Sequence, residues 1–219
     1  TYYQKEFFSA SMTMDISNQN KLSEFYEELK RLKIKIQRPD INNCYADFKS
    51  KNDIFYYALG AIKNVGFEAV SNIVRERIKG GKFSSLNNFI NRISPKDINK
   101  LQLEGLVKAG AFDSININRK KIYDSIPKLI LKSKNTYDNK INNQINLFQT
   151  DDDDDVLENN AEDWKFDERL SKEFSSIGFF VSDHPLNEFS EILENYKIYN
   201  FNDFKDNMNK LEANIAATV

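Results

Sequence analysis

A mainly α fold built around a tandem helix–hairpin–helix unit is predicted by three features of this sequence. Apolar residues recur at three- and four-residue spacing through most of the chain. Two glycine turns, at Gly66 and Gly110, each join helical segments. The segment holding both turns is strongly basic within a chain of net charge −2.

The elements follow in order. Residues 2–33 read as helical, with Phe7, Phe8 and Met12, then Leu22, Phe25, Tyr26, Leu29 and Leu32 on apolar faces. Pro39 ends that pattern, because proline disfavours helix at the residue before it. Tyr45–Lys49 and Ile54–Leu59 alternate around a Lys51-Asn52-Asp53 turn and predict a small β-hairpin. Gly60–Gly81 holds a short helix, a tight turn at Lys63-Asn64-Val65-Gly66, and a longer helix stopped by Gly80-Gly81. Ser85 is positioned to cap a helix carrying Leu86, Phe89, Ile90 and Ile93. Ile98–Val107 is a further amphipathic helix that runs into the second turn, Lys108 to Phe112. Asn118 can cap a helix reaching about Lys132, with Pro127 inside it predicting a kink or an early end. Periodicity then vanishes to about Asp163, which predicts a polar linker. Phe166–Phe180 resumes a helix, Ser182 to Pro185 turns, Leu186–Tyr196 is helical again, and Ile215–Val219 reads as the start of a β-strand.

With 40% hydrophobic and 29% charged residues among 219, the composition is that of a globular chain rather than a disordered one. No apolar run is long enough to span a bilayer. The single cysteine, Cys44, excludes an internal disulfide or a cysteine-based zinc cluster and suits a reducing compartment. The opening at Thr1 without methionine and the abrupt end at Val219 read as an internal piece of a longer protein. The charge is divided along the chain: residues 1–59 carry net +1, 60–132 net +8 and 133–219 net −11. Such a change of sign predicts that the middle segment meets an anion and the last does not.

A helix–hairpin–helix turn can hold a phosphate, because glycine lets backbone amides approach an anion beside a helix N-terminus. Such contacts position a protein on a nucleic-acid backbone without reading sequence. The matching residues are Val65 and Gly66 after Lys63, and Ala109 and Gly110 after Lys108, with Arg119, Lys120 and Lys121 beyond the second turn as further phosphate contacts. An ordinary corner between two helices also explains a single such turn. In the linker, Gln144-Ile145-Asn146-Leu147-Phe148 sets two large apolar residues in a polar tether, the pattern of a docking peptide. Leu147 and Phe148 would enter apolar pockets and the Gln144 amide would orient them; the competing reading folds them back on the domain. Asp151–Asp155 lacks an apolar strand to converge its carboxylates and reads as a solvated spacer, so no metal ligand is assigned. His184, before Pro185, reads as a turn residue, and nothing here is assigned as catalytic.

Phe7-Phe8-Ser9-Ala10, Pro39 to Asn42, Leu59 to Gly66, Phe83 to Leu86, Leu106 to Asp113, Gln144 to Phe148 and Ile177 to Leu186 together resemble the alpha subunit of bacterial DNA polymerase III, the family C replicative polymerase. That resemblance implies the end of a fingers domain over 1–55 and a tandem helix–hairpin–helix DNA-binding domain over 56–135. It further implies a linker carrying a clamp-binding peptide over 136–165, a helical connector over 166–210 and the start of an OB domain over 211–219. It implies Gln144, Leu147 and Phe148 as the contact with the β sliding clamp, and duplex primer–template and other replicase subunits as partners in the cytoplasm, with no membrane. The parent enzyme would be a DNA-directed DNA polymerase using Mg²⁺ that this stretch does not bind, since the family's catalytic carboxylates fall upstream of Thr1. One departure stands out: the residue after the first hairpin glycine is usually small or acidic, and here it is Phe67. The rival readings are a stand-alone helix–hairpin–helix DNA-binding or scaffold module, and a repair glycosylase with Asp113 after the hairpin.

Overall fold

The computed structural model describes residues 3–141, 157, 162–198 and 216. Two compact units divide the chain at Phe179/Phe180.

The first unit is mainly helical. The helical pattern of residues 2–33 is present as two helices, α1 (Gln4–Met14) and α2 (Gln19–Arg31), with a break between them. The break has a local cause: the Asn18 side chain accepts a hydrogen bond from the Lys21 amide and caps α2. Met12, Leu22 and Leu29 are fully buried between these helices and their neighbours.

A hairpin is present, but its first arm lies at β2 (Lys49–Lys51) and not at Tyr45–Lys49, and its second, β3 (Ile54–Tyr56), stops short of Leu59; the two pair antiparallel around Asn52 and Asp53, both with positive φ. A strand not anticipated, β1 (Lys35–Gln37), pairs parallel with the other edge of β3, giving the order β1-β3-β2. Phe55 and Tyr57 are fully buried, Phe55 stacked on the Phe48 ring and Tyr57 meeting that ring edge to face.

A 3₁₀ turn (Leu59–Ala61) leads through the first glycine turn into α3 (Phe67–Gly80), which stops where Gly81 takes φ +78°. Ser85 Oγ caps α4 (Leu86–Arg92) through the Asn88 amide. Asn99 and Gln102 form a reciprocal capping box on α5 (Lys100–Lys108), worth about 1 kcal/mol. Asn118 accepts from the Lys121 amide at the head of α6 (Arg119–Ile141).

Helix α6 passes through Pro127 and continues to Ile141, so it neither ends early nor leaves residues 136–141 to the linker. The proline removes one helical hydrogen bond, but Ile126 and Leu129 on either side of it are buried where α6 packs against α4 and α5. Burial of that face holds the helix through a residue that would end an isolated one. Helix α7 (Phe166–Ile177) packs on α5 and closes with Gly178 in the left-handed region.

In the second unit, a 3₁₀ turn (Pro185–Phe189) precedes α8 (Ser190–Asn195). His184 caps that turn, its Nδ1 accepting from the Leu186 amide at 3.2 Å. Gln144, Leu147, Phe148, Asp151–Asp155 and the expected strand at 215–219, apart from Ala216, lie outside the described residues.

Candidate nucleic-acid interface

The loop that opens this region, Pro39 to Cys44, is fixed by its own polar groups. Asn42 donates to the Phe83 carbonyl at 2.9 Å and accepts from the Phe83 amide at 2.7 Å. The Ile41 amide donates to the Ala111 carbonyl at 2.7 Å, and the Ser114 hydroxyl donates to Asp40. Buried Arg77 on α3 donates to the carbonyls of Ile41 and Cys44, both at 2.7 Å. The Pro-Asp-Ile-Asn stretch thus ties the start of the domain to α3 and to the second turn.

The first turn has an exposed face and a buried one. Val65 is buried, while Lys63, Asn64, Gly66, Phe67 and Glu68 are exposed. Within the turn, the Val65 amide donates to the Ile62 carbonyl and the Lys63 amide to Ser176 of α7 at 2.9 Å. Asn64 carries the positive φ (64°), whereas Gly66 is extended at φ −70° and forms the N-cap of α3. No side chain caps this helix. Its first amides, which an α-helix cannot satisfy internally, lie in the exposed run Gly66–Glu68. The Phe67 ring is 52% exposed and leans toward Gly60, its Cδ2 3.5 Å from where a Cβ there would stand.

The second turn is closed. Gly110 at φ +76° is the left-handed residue that ends α5, with its amide bonded to the Val107 carbonyl and the Ala111 amide to Leu106. Ala109, Gly110 and Ala111 are all buried. Arg119 is 4% exposed and lies over Gly110, donating to Asp113 at 2.7 and 2.8 Å, to the Lys108 carbonyl at 3.1 Å and to Glu173 at 3.3 Å. The N-terminus of α6, the natural anion position of this hairpin, already holds a carboxylate: Asp163 Oδ1 accepts from the Lys120 amide at 3.0 Å. Asp163 is held in turn by its own link to Arg169, which also reaches Asp113.

The predicted cations therefore divide. Lys63 is exposed and has no carboxylate partner among the described residues. Lys121 is half-buried and is likewise unpaired with acid among them. Lys108 stands 3.6 Å from Glu104 and over the Tyr123 ring. Lys120 pairs with Asp124. Arg119 is an interior residue with its donors engaged. Asp163 and Glu173, which fill the second hairpin from 43 and 54 residues away, gave no local sign of doing so. Gly105 did give one: glycine inside a helix implies a close approach, and here the first turn packs directly on it.

A family model for the helix-hairpin-helix motif matches residues 33–122, which takes in both turns. The DNA polymerase III subunit alpha of Caulobacter vibrioides is 39% identical over 184 residues, 84% of this chain and 16% of that protein. That of Borreliella burgdorferi is 34% identical over 203 residues (90% and 18%), and that of Campylobacter jejuni 33% over 218 (94% and 18%). The chain belongs to the DNA polymerase III alpha-subunit family. It spans about a sixth of the length of these relatives. The mainly α fold and the helix–hairpin–helix region expected from the sequence are both present.

Two further properties of this alpha-subunit stretch bear on function. Among the described residues, no group of three or more His, Cys, Asp or Glu side chains converges as a metal site would require. No helix among them is long and apolar enough to cross a membrane.

Proposed function

We propose that this stretch holds duplex DNA by its phosphate backbone, without reading sequence, inside a polymerase that extends primers. The uncapped, exposed N-terminus of α3 beside Lys63 carries the reading. Amides of that kind favour a negative charge, and Lys63 adds a salt-sensitive contact. The second hairpin takes a different part in this proposal. Its anion position is occupied from within by Asp163, so Ala109, Gly110 and Arg119 brace the first turn through α5, while Lys108, Lys120 and Lys121 contribute field more than contact.

The same protein would carry the β sliding clamp on Gln144, Leu147 and Phe148, in the manner the sequence suggests. A short peptide of this sort binds at about micromolar strength, and a tether beside a DNA grip raises its effective concentration. Template-directed synthesis, Mg²⁺, the remaining replicase subunits and a cytoplasmic setting belong to the parent enzyme in this reading.

The test is duplex affinity by fluorescence anisotropy. Lys63→Glu is expected to weaken binding about tenfold, on the order of the cost of reversing one direct phosphate contact, and Lys108→Glu far less. Equal losses for the two variants would remove the distinction between the turns.

A further inference from the structure

A second cationic feature lies away from the glycine turns. A cleft of about 590 Å³ opens between the β2–β3 hairpin and the C-terminal end of α3. Its walls carry Lys49, Lys51, Lys82 and Arg77 together with Tyr45 and Tyr56, and among the described residues no carboxylate lines it. Two acids adjoin its lining in sequence, and both are paired elsewhere: Asp53 with Lys5 at 2.5 Å and Glu76 with Arg92 at 3.2 Å. Lys49, Lys51 and Lys82 are exposed, and none has a carboxylate partner among the described residues.

The aromatic pair is held in place. Tyr45 and Tyr56 meet edge to face at 5.7 Å, and Lys49 Nζ stands 4.4 Å from the centre of the Tyr45 ring. Arg77 approaches the same ring at 5.4 Å from its anchored position on the Ile41 and Cys44 carbonyls. Tyr56 is fixed on β3 by ladder bonds on both sides. The volume lies in the range of small-ligand pockets.

We propose that this cleft binds a short segment of single-stranded nucleic acid, with a base against Tyr56 and its flanking phosphates on Lys49, Lys51 and Lys82. Cations that track a backbone beside an aromatic platform are the physical requirements for such a strand. A duplex keeps its bases stacked inside and offers a tyrosine nothing to stack on. The site is independent of the α3 N-terminus, and no residue is shared between them.

The experiment uses the full chain, with short oligothymidylate, blunt duplex and thymidine triphosphate as separate ligands in anisotropy or competition. Tyr56→Leu keeps an apolar strand residue and removes the stacking face. Lys49→Gln with Lys51→Gln and Lys82→Gln removes the charge at exposed positions, and thermal melts check that each variant folds. The cleft is expected to lose about tenfold in oligothymidylate affinity with either variant, with duplex affinity unchanged, while Lys63→Glu shows the opposite pattern. Unchanged oligothymidylate binding, or equal loss for strand and duplex, would overturn the proposal. Triphosphate binding as tight as the strand, and abolished by the same variants, would also overturn it by reassigning the cleft to a free nucleotide.

Discussion

The carbonyl of Lys63 faces Gly105 so closely that a Cβ on that residue would stand 2.7 Å from the oxygen. The first turn therefore rests on α5 backbone to backbone, with Val65 buried beside the contact. Its outer face is exposed because its inner face is fixed.

Gly105→Ala tests that seating. The new methyl also meets Val65 Cγ2 at 3.2 Å, and neither the carbonyl nor the buried side chain can yield cheaply. A loss of about 1–3 kcal/mol in urea-unfolding free energy is expected, together with weaker duplex binding as the turn shifts. A stability change near zero would mean that the turn is not held there.

Arg119 supplies a second prediction. Replacing it with methionine takes the guanidinium away from Asp113 and from Glu173, the latter 1% exposed at its side chain, at a cost of about 3–5 kcal/mol. Adding Glu173→Gln should restore part of that loss. The folded fraction is expected to keep the duplex salt slope of the parent chain. A reduced slope at unchanged stability would instead place Arg119 on the DNA.

Alkaline stability provides a third. Burial pushes the Cys44 thiol and the Tyr26 phenol each up to about 12, and raises Tyr57 further. For acids that are neutral when protonated, a raised folded value means that the native state keeps its proton where the unfolded chain has lost it. Their stabilisation is whole below pH 9, the ordinary thiol value, and is lost as pH rises toward 12. Urea melts across that window should show a steady fall that Cys44→Ala makes shallower; an identical fall in the variant would contradict the assignment.

The proposed clamp peptide is tested separately. Leu147→Ala with Phe148→Ala should abolish retention of the chain on immobilised clamp and leave its thermal melt unchanged. Retention in the double variant would discard the peptide.

Local chemistry was legible in the sequence, and long-range chemistry was not. Ser85 and Asn118 cap the helices they were expected to cap, and Gly81 ends α3, because each signal sits within four residues of its effect. Strand β1 was missed because its partner, β3, lies 19 residues on, and three residues carry too little alternation to declare themselves. Charge counting makes the basic segment uniformly outward. Arg119 departs from that expectation because Glu173, on a helix 54 residues away, brings a carboxylate that a count of charges cannot place. Pro127 failed as a stop signal for a related reason: the buried face of α6 outweighs the bond the proline removes.

The most direct test of the DNA grip is the salt dependence of duplex affinity for the parent chain and for Lys63→Glu. If the first turn holds a phosphate, the log–log slope of the variant is shallower by about 0.9 for each phosphate it no longer neutralises, and the two affinities converge at high salt. Parallel lines of equal slope would contradict the account.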